Sequence, residues 1–202
     1  MSRLGLYGGS FDPIHNGHIE PVIRAAEQLE LDEVLYLPTA YPPHKTDRSF
    51  APALRRFAMV ELALLGHEQL QVSDLELTES PSFTIDTIDS IRAQKPEADI
   101  FLLLGSDSLA QIESWRRWED ILVGVHLAVL RRPGWSREEA LAQLSRETQE
   151  RLTAGGATFI DNLPLDVSAT EIRRRLSEHE AVPAEWVPSA VVDYARKYCL
   201  YS

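Results

Sequence analysis

A glycine-rich turn between a strand and a helix constrains the fold of this 202-residue chain more than any other segment. The apolar run Leu4–Tyr7 predicts a short buried strand, and apolar residues from Ile19 to Leu29 recur at helical spacing, so we expect a helix to begin near Gly17. The turn Gly8–His18 joins the two. Such a turn presents backbone N–H groups and the positive end of the helix dipole, which both favour a bound phosphate. The segment is therefore a candidate nucleotide-phosphate site.

Two histidines of this turn, His15 and His18, are three residues apart and can lie on one side of it. The chain contains neither GxGxxG nor GxxxxGK[ST], which excludes two familiar phosphate loops. Two alternatives to a phosphate site stay open at this point. The histidines can be incidental to a strand–turn–helix link, or they can bind zinc, although the only cysteine is the distant Cys199 and no third ligand is evident.

The overall charge restricts the possible partners. A formal net charge of −11 argues against non-specific binding of nucleic acid or of an anionic membrane, because both need a basic face. The longest apolar runs, such as Ile100–Leu104, are too short to span a membrane, and the N-terminal residues do not form a signal peptide. With one cysteine and 44% hydrophobic residues, we expect a single cytoplasmic domain over residues 1–202, without nucleic acid or membrane partners.

Short apolar strands alternate with amphipathic helices along the chain. The predicted strands are Leu4–Gly8, Glu33–Leu37, Gln71–Leu75, Ile100–Leu104, His126–Leu130 and Ala157–Ile160. This alternation predicts an α/β fold, a Rossmann-like, doubly wound parallel sheet with helices on both faces, whose ligands bind beyond the carboxyl ends of the strands. Residues from about 163 to 202 are expected to pack at the end of the sheet. A loop over Tyr41–Ala53 can cover the site.

Three predictions concern the helices between these strands. Leu54, Phe57, Ala58, Leu62 and Leu65 form a stripe at helical spacing, which predicts the buried face of one helix. Residues Ile85, Ile88 and Ile91 predict the buried face of another. In Ser136–Arg151, Ser136 and Glu139 form a capping box, while Leu141 and Leu144 provide the inner face.

A second helix start near the C-terminus carries phosphate-binding groups. Ser168, Thr170 and Arg173 bring two hydroxyls and a guanidinium to that position, which suits a phosphate. A purely structural role can also explain these residues, because Ser168 and Glu171 can form a capping box, with Ile172 on the core face of the helix.

The motifs together resemble a known family. GxFDPxHxGH resembles the signature of the HxGH nucleotidyltransferases, and Ser168–Arg173 resembles their SxTxxR motif, with Ala169 where the family often has Ser. The segment Pro38–Lys45 with its PPHK, the segment Ser82–Thr87, and Gly105–Asp107 followed by Trp115 resemble the bacterial nicotinate mononucleotide adenylyltransferases. The resemblance covers nearly the whole chain.

The resemblance implies that ATP and nicotinate mononucleotide react to give nicotinate adenine dinucleotide and pyrophosphate. It also implies Mg²⁺ as a cofactor, held mainly by ATP phosphates and water. The implied catalytic residues are His15, His18, Lys45 and Arg173. The implied ATP-binding residues are Gly8, Gly9, Ser10, Phe11, His15, Gly17, His18, Gly105, Asp107, Arg132, Ser168, Thr170 and Arg173. The implied nicotinate-nucleotide-binding residues are Lys45, Thr84, Ile85, Trp115 and Arg116. No protein metal ligand is expected.

Several alternatives remain at this stage. The chain can be a phosphopantetheine adenylyltransferase or a glycerol- or choline-phosphate cytidylyltransferase, which share HxGH, or a nucleotide-binding regulatory module without turnover. Thr84 can simply cap its helix, Trp115 can be a core residue, and Arg132 can lie on the surface. Asp12 is expected to form a turn before Pro13 in preference to binding a metal.

Overall fold

The computed structural model describes residues 2–40, 50–78, 80–162 and 165–202. Its strands are β1 (Arg3–Gly9), β2 (Glu33–Pro38), β3 (Leu70–Val72), β4 (Asp99–Gly105), β5 (His126–Leu130) and β6 (Ala157–Phe159). The α-helices in these ranges are α1 (Asn16–Gln28), α2 (Ala53–Leu64), α3 (Thr84–Gln94), α4 (Ser106–Leu109), α5 (Trp118–Gly124), α6 (Arg137–Ala142), α7 (Arg146–Arg151), α8 (Ala169–Ser177) and α9 (Ser189–Lys197). A 3₁₀ turn covers Ile112–Ser114, and Leu152–Gly156 forms a wide turn that is kinked at Gly155, whose φ is +114°.

The strands form one sheet in the order β3-β2-β1-β4-β5-β6. The pairs β1/β4, β4/β5 and β5/β6 are parallel, with Leu6 opposite Leu102 and Leu103 opposite Ala128. The order runs outward in both directions from β1 and β4, as in a doubly wound sheet. The predicted fold class is therefore confirmed.

The chain divides into two compact units. The first unit contains Met1–Tyr7, Pro21–Val34 and Phe83–Pro164, and the second contains Gly8–Glu20, Leu35–Ser82 and Leu165–Ser202. That residues 1–202 act as a single domain, with residues 163–202 packed at the end of the sheet, stays a prediction.

The core of the first unit consists of aliphatic strand residues and one helix face. Leu4, Leu127 and Ala128 are fully buried, as expected for parallel strands covered on both faces. The predicted stripe of α3 is confirmed, since Ile85, Ile88 and Ile91 are at most 3% exposed. This packing fixes the start of α3.

The second unit corrects the predicted face of α2. Leu54 and Leu65 are 73% and 69% exposed, so the predicted stripe is wrong. The buried residues of the helix are Arg56, Met59, Val60, Ala63 and Leu64. This second set also follows the i, i+3, i+4, i+7 spacing, but it begins with an arginine, which a search for apolar residues passes over. The face that α2 buries therefore carries a cation.

The predicted strand Gln71–Leu75 is too long, since β3 ends at Val72. The Ser73 Oγ accepts a hydrogen bond from the Leu75 N–H at 3.3 Å, and the Asp74 carbonyl accepts one from the Leu77 N–H at 2.8 Å. These local hydrogen bonds form a turn where the alternation predicted extended backbone.

The segment Ser136–Arg151 forms two short helices, α6 and α7. The capping box of Ser136 and Glu139 is confirmed, whereas Leu144, and not Leu141, is buried together with Ala140. Ser145 starts the second helix, because its Oγ accepts a hydrogen bond from the Thr148 N–H at 3.3 Å. Among the described residues, no helix is long and apolar enough to cross a membrane.

Candidate active site

The two histidines of the glycine-rich turn stack on each other at the start of α1, in the second unit. Their ring centroids are 3.7 Å apart and their planes differ by 27°. The His18 N–H donates to the His15 carbonyl at 2.7 Å, and the His15 N–H donates to the His18 Nδ1 at 3.3 Å. Since Nδ1 accepts this hydrogen bond, a neutral His18 carries its proton on Nε2. The turn itself therefore selects a ring that donates through Nε2.

Two buried aromatic residues, Phe11 and Tyr36, hold His18. The Phe11 ring meets the His18 ring edge-on, with centroids 5.3 Å apart and planes at 88°. The Tyr36 hydroxyl donates to the His18 carbonyl at 3.2 Å, and the Tyr36 ring packs against Phe11 at 5.6 Å. Both aromatic side chains are buried, while His18 is partly exposed. The predicted ATP-binding residue Phe11 is thus a packing residue through its side chain, and only its backbone can face a ligand.

Gly17 brings the start of α1 against the segment that precedes α8. A Cβ atom at this position would lie 2.9 Å from the Val167 Cγ1, closer than real Cβ atoms come, and 3.1 Å from the His15 ring, which is tighter than most Cβ contacts. The Asn16 N–H also donates to the Trp186 carbonyl at 2.7 Å. Gly8, Gly9 and Ser10, the other predicted residues of the turn, lie at the end of β1 and directly after it and are not fully buried.

The predicted capping box of α8 is only half formed. The Ser168 Oγ accepts a hydrogen bond from the Glu171 N–H at 3.2 Å, so Ser168 is the N-cap. The Glu171 carboxylate does not return to the N-cap, because it binds the guanidinium groups of Arg174 and Arg175 at 2.9 Å each. The capping-box prediction for Ser168 and Glu171 is wrong in this second half.

Arg173 connects the two sequence motifs. Its Nη1 donates to the Asp12 carbonyl at 2.6 Å, and its Nη2 donates to the Thr170 Oγ1 at 3.0 Å. Asp12 and Arg173 are 161 positions apart in the sequence. The structure therefore brings the SxTxxR helix start to the HxGH turn, with Ser168 and Thr170 exposed and the Arg173 side chain 17% exposed.

Asp12 has a larger structural role than the predicted turn. Its carboxylate is 2% exposed, and Oδ1 accepts hydrogen bonds from the Ala51 N–H at 3.2 Å and the Tyr201 hydroxyl at 2.9 Å. Oδ2 lies 3.8 Å from the Arg173 Nη1. The sequence interpretation did not find Tyr201 or Ala51, because neither belongs to a motif. With these partners, Asp12 has the contacts of a structural carboxylate.

Arg56 is a further residue that the sequence interpretation did not find. It is 1% exposed and donates through Nε to the Ala51 carbonyl at 2.9 Å, through Nη1 to the Ser10 carbonyl at 2.6 Å and through Nη2 to the Ala40 carbonyl at 3.2 Å. Burial lowers the pKa of the Arg56 guanidinium, and the neighbouring charge of Asp12 opposes this effect. The sequence signal that could have identified Arg56 is its spacing of three and four residues from Met59 and Val60, which places it on the same face of α2.

The predicted adenosine contacts lie at the ends of β4 and β5, in the first unit. A Cβ at Gly105 would overlap the Asp107 Oδ1 and lie 2.9 Å from the Arg132 Nε, so a larger residue here would displace these two side chains. Arg132 Nη2 donates to the Tyr7 hydroxyl at 3.3 Å, and its backbone N–H donates to the Ser106 Oγ at 3.2 Å. The Asp107 side chain is 51% exposed and can accept a hydrogen bond from a ribose hydroxyl.

Tyr7 and Ser106 both form hydrogen bonds with Arg132, and the sequence did not predict either residue as part of the site. Burial raises the pKa of the Tyr7 hydroxyl, which the nearby Arg132 partly offsets. The Ser106 Oγ donates to the Leu130 carbonyl at 3.1 Å while accepting from Arg132. Arg132 is thus held on two sides.

The predicted nicotinate contacts also lie in the first unit, at the start of α3. Thr84 is the first residue of the helix, and its N-cap Phe83 makes no side-chain cap, so Thr84 is not the N-cap. Ile85 is 1% exposed, so its side chain belongs to the core and cannot contact a ligand. Trp115 is half-buried, which is more exposed than a core tryptophan.

Arg116 offsets an acidic residue at the same helix start. Asp86 lies in the first turn of α3, and the Arg116 Nη1 is 3.2 Å from its Oδ2. The guanidinium carbon of Arg116 also lies 4.8 Å from the centre of the Phe83 ring. The Asp86 charge would otherwise oppose an anion at the N-terminus of α3.

Lys45, and with it most of the Tyr41–Ala53 loop, lies outside the described residues, so its role stays a prediction. Within the described part of the chain, no group of three or more His, Cys, Asp or Glu side chains could hold a metal ion.

The comparisons with known proteins agree with these motifs. Residues 6–175 match the cytidylyltransferase-like family model, which makes the chain a nucleotidyltransferase of that class. A protein of Pseudomonas paraeruginosa named "Probable nicotinate-nucleotide adenylyltransferase" is 42% identical over 98% of this chain and 97% of its own length. A protein of the same name from Neisseria gonorrhoeae is 38% identical over 100% and 99%. The chain belongs to the nicotinate-nucleotide adenylyltransferase family, as the motifs predicted.

Solved structures show the same fold. The nicotinic acid mononucleotide adenylyltransferase of Plasmodium falciparum complexed with NaAD superposes with a TM-score of 0.79 at 21% identity, covering 100% of this chain and 98% of the other. The same enzyme complexed with APC gives a TM-score of 0.78 at 20% identity over the same shares. At this identity the likeness supports the fold assignment alone.

Proposed function

We propose that this protein transfers the adenylyl group of ATP to nicotinate mononucleotide in the cytoplasm, giving nicotinate adenine dinucleotide and pyrophosphate for NAD biosynthesis. Relatives of 38% to 42% identity over nearly the full length carry the name of this activity. The motif segments that distinguish this branch from other HxGH enzymes are present together in the sequence.

One observation carries the proposal, the hydrogen bond from Arg173 to the Asp12 carbonyl. It joins a turn with two histidines to a helix start with two hydroxyls and a guanidinium, all in the second unit. Helix N-termini and arginine side chains both bind phosphate, and here they converge in an otherwise acidic chain. A regulatory nucleotide-binding module would not require both motifs.

The chemistry needs positioning and charge stabilisation. A phosphate oxygen of nicotinate mononucleotide forms a bond to the α-phosphorus of ATP, while the bond from that phosphorus to the bridging oxygen of the β-phosphate breaks and pyrophosphate leaves. The attacking phosphate is already ionised at pH 7, so no general base is required. We assign His18 Nε2–H to the α-phosphate, where charge develops. His15, Ser168, Thr170 and Arg173 are assigned to the β- and γ-phosphates, and Lys45 acts from its loop.

A divalent metal is general in nucleotidyltransferases, and we propose Mg²⁺ for this chain. Among the described residues, the donor sets suit an ion carried by ATP phosphates and water, because no carboxylate cluster forms a cage and Asp12 is engaged by Ala51 and Tyr201. When bound in this way, Mg²⁺ neutralises phosphate charge as pyrophosphate departs.

The choice of nicotinate over nicotinamide is assigned to the start of α3. The backbone N–H groups of Thr84 and Ile85 have no intrahelical acceptors in the first turn, and they suit a carboxylate. A charge–dipole contact of this kind is worth about 0.3 to 1 kcal/mol. Arg116 supports the site by offsetting Asp86, and the Trp115 indole stacks on the cationic pyridine ring.

The test measures pyrophosphate and dinucleotide formation from Mg-ATP with nicotinate mononucleotide, nicotinamide mononucleotide and phosphopantetheine in parallel. We expect a strong preference for nicotinate mononucleotide. Equal use of the amide would contradict the assignment of α3, and use of phosphopantetheine alone would contradict the substrate. ATP binding without any product would favour the regulatory module.

A matched pair of variants tests the helix start. Arg116→Gln leaves the Asp86 charge without its partner, so the preference for nicotinate over nicotinamide should fall about five-fold, the equivalent of ~1 kcal/mol. Arg117→Gln is the control, because Arg117 pairs with Asp89 and Asp120, which lie outside the first turn of α3. Equal effects of both substitutions on the preference would contradict the role of Arg116.

A further inference from the structure

We propose that Arg56 is a positioning residue that holds His18 in place for catalysis through the backbone of the turn and the Phe11 ring. Arg56 is assigned no contact with substrate. The test by kcat rests on the proposed function, whereas the test by the NMR signals of the His18 ring does not.

Arg56 fixes the segment on both sides of Phe11. Its Nη1 donates directly to the Ser10 carbonyl at 2.6 Å. Its Nε donates to the Ala51 carbonyl at 2.9 Å, and the N–H of Ala51 donates to the Asp12 carboxylate at 3.2 Å. One buried guanidinium thus restrains the residue before Phe11 directly and the residue after it through Ala51.

Phe11 transmits this restraint to His18. The backbone of Phe11 has a φ of +44°, in the left-handed region that a phenylalanine rarely adopts without support from its neighbours. Its ring is 1% exposed and meets the His18 ring edge-on at 5.3 Å. A change in the position of the Ser10–Asp12 backbone therefore moves the ring against which His18 packs.

The geometry requires an arginine. Three carbonyl groups, of Ser10, Ala40 and Ala51, accept from three different nitrogens of one planar guanidinium. A lysine ammonium carries the same charge but cannot present donors in this fixed fork. Arg56→Lys therefore keeps the charge and loses the alignment.

The experiment compares Arg56→Lys with Arg55→Lys. Arg55 is the adjacent residue of the same helix, but its Nη1 donates to the Tyr194 hydroxyl at 3.0 Å and it stacks on Tyr198 at 3.9 Å. We expect Arg56→Lys to lower kcat about ten- to hundred-fold with KM for nicotinate mononucleotide within about three-fold, since misplacement by about 1 Å costs this much. Arg55→Lys should leave kcat within about two-fold of wild type, even if it lowers Tm as much as Arg56→Lys does.

The His18 ring signals in NMR spectra of the free protein provide a readout that does not depend on turnover. Arg56→Lys should shift them by changing the Phe11 ring current, and Arg55→Lys should not. Unchanged signals together with kcat within two-fold of wild type, measured per folded molecule, would overturn the proposal.

A second substitution covers a loss of folding. If Arg56→Lys does not fold, Phe11→Leu removes the link between the held backbone and His18, and the same decrease in kcat with shifted His18 signals is expected. Retained kcat in that variant overturns the proposal. If the wild-type protein does not adenylylate nicotinate mononucleotide, the proposed function fails, and the His18 signals still test Arg56.

Discussion

Replacing His18 by glutamine or by asparagine tests which ring nitrogen acts in catalysis. The structure places Nδ1 against the His15 N–H at 3.3 Å, so the neutral ring donates through Nε2. The amide nitrogen of glutamine reaches about as far as Nε2, whereas the amide of asparagine ends at the position of Nδ1. We expect His18→Gln to retain much more activity than His18→Asn.

The magnitudes follow from which of the two hydrogen bonds of His18 each variant keeps and which it loses. His18→Asn can still accept from the His15 N–H through its carbonyl oxygen, but it loses the donor to the α-phosphate, which is worth about 10² to 10³ in kcat. His18→Gln loses the bond to the His15 N–H, which at 3.3 Å contributes no more than about 1 kcal/mol, and we expect a decrease of about five-fold. The assay is initial-rate pyrophosphate release at saturating substrates, with Tm measured to compare folding.

The reverse order of activity would refute this reasoning. If His18→Asn were the more active variant, the contact of Nδ1 would be the important one and Nε2 would not be the catalytic donor. If both variants retained kcat within two-fold, His18 would have no catalytic role, and the assignment of the turn to the α-phosphate would be wrong.

Two predictions concern stability. Hydrogen bonds from Arg174, and from Arg175, hold the pKa of the Glu171 carboxyl at about 2 against its ordinary 4.5, so its stabilising contribution is present above pH 4.5 and is lost as the pH falls toward 2. The Tm difference between wild type and Glu171→Gln should therefore narrow below pH 4.5 and be reduced by salt, because the group is exposed; a pH-independent difference would contradict this. In urea denaturation, Ile88→Ala should cost about 2 to 5 kcal/mol because Ile88 is fully buried, whereas Leu54→Ala, at a residue 73% exposed, should stay within about 0.5 kcal/mol. A loss of about 2 to 5 kcal/mol for Leu54→Ala would show that the buried face of α2 is assigned wrongly.

The sequence was sufficient to predict a structural feature where residue spacing and side-chain chemistry agree over a short segment. The alternation of strands and helices predicted the parallel sheet, and the turn Gly8–His18 predicted the start of α1. The meeting of Arg173 with Asp12 could be expected from a family resemblance but not from spacing, because the two residues are 161 positions apart. The tautomer of His18 required coordinates, since it depends on one backbone N–H.

The second helix shows most clearly why part of the site could not be predicted. Two overlapping stripes satisfy the helical spacing in Ala53–Leu65, and hydrophobicity alone favours the one with Leu54 and Leu65. The structure buries the other stripe because Arg56, at its head, finds three backbone carbonyls to accept its N–H groups. A buried guanidinium is tolerated only when its donors are matched in this way, and the matching carbonyls come from segments that are distant in sequence. Arg56, the residue that a search for apolar spacing passes over, is therefore also the residue that holds the turn before His18.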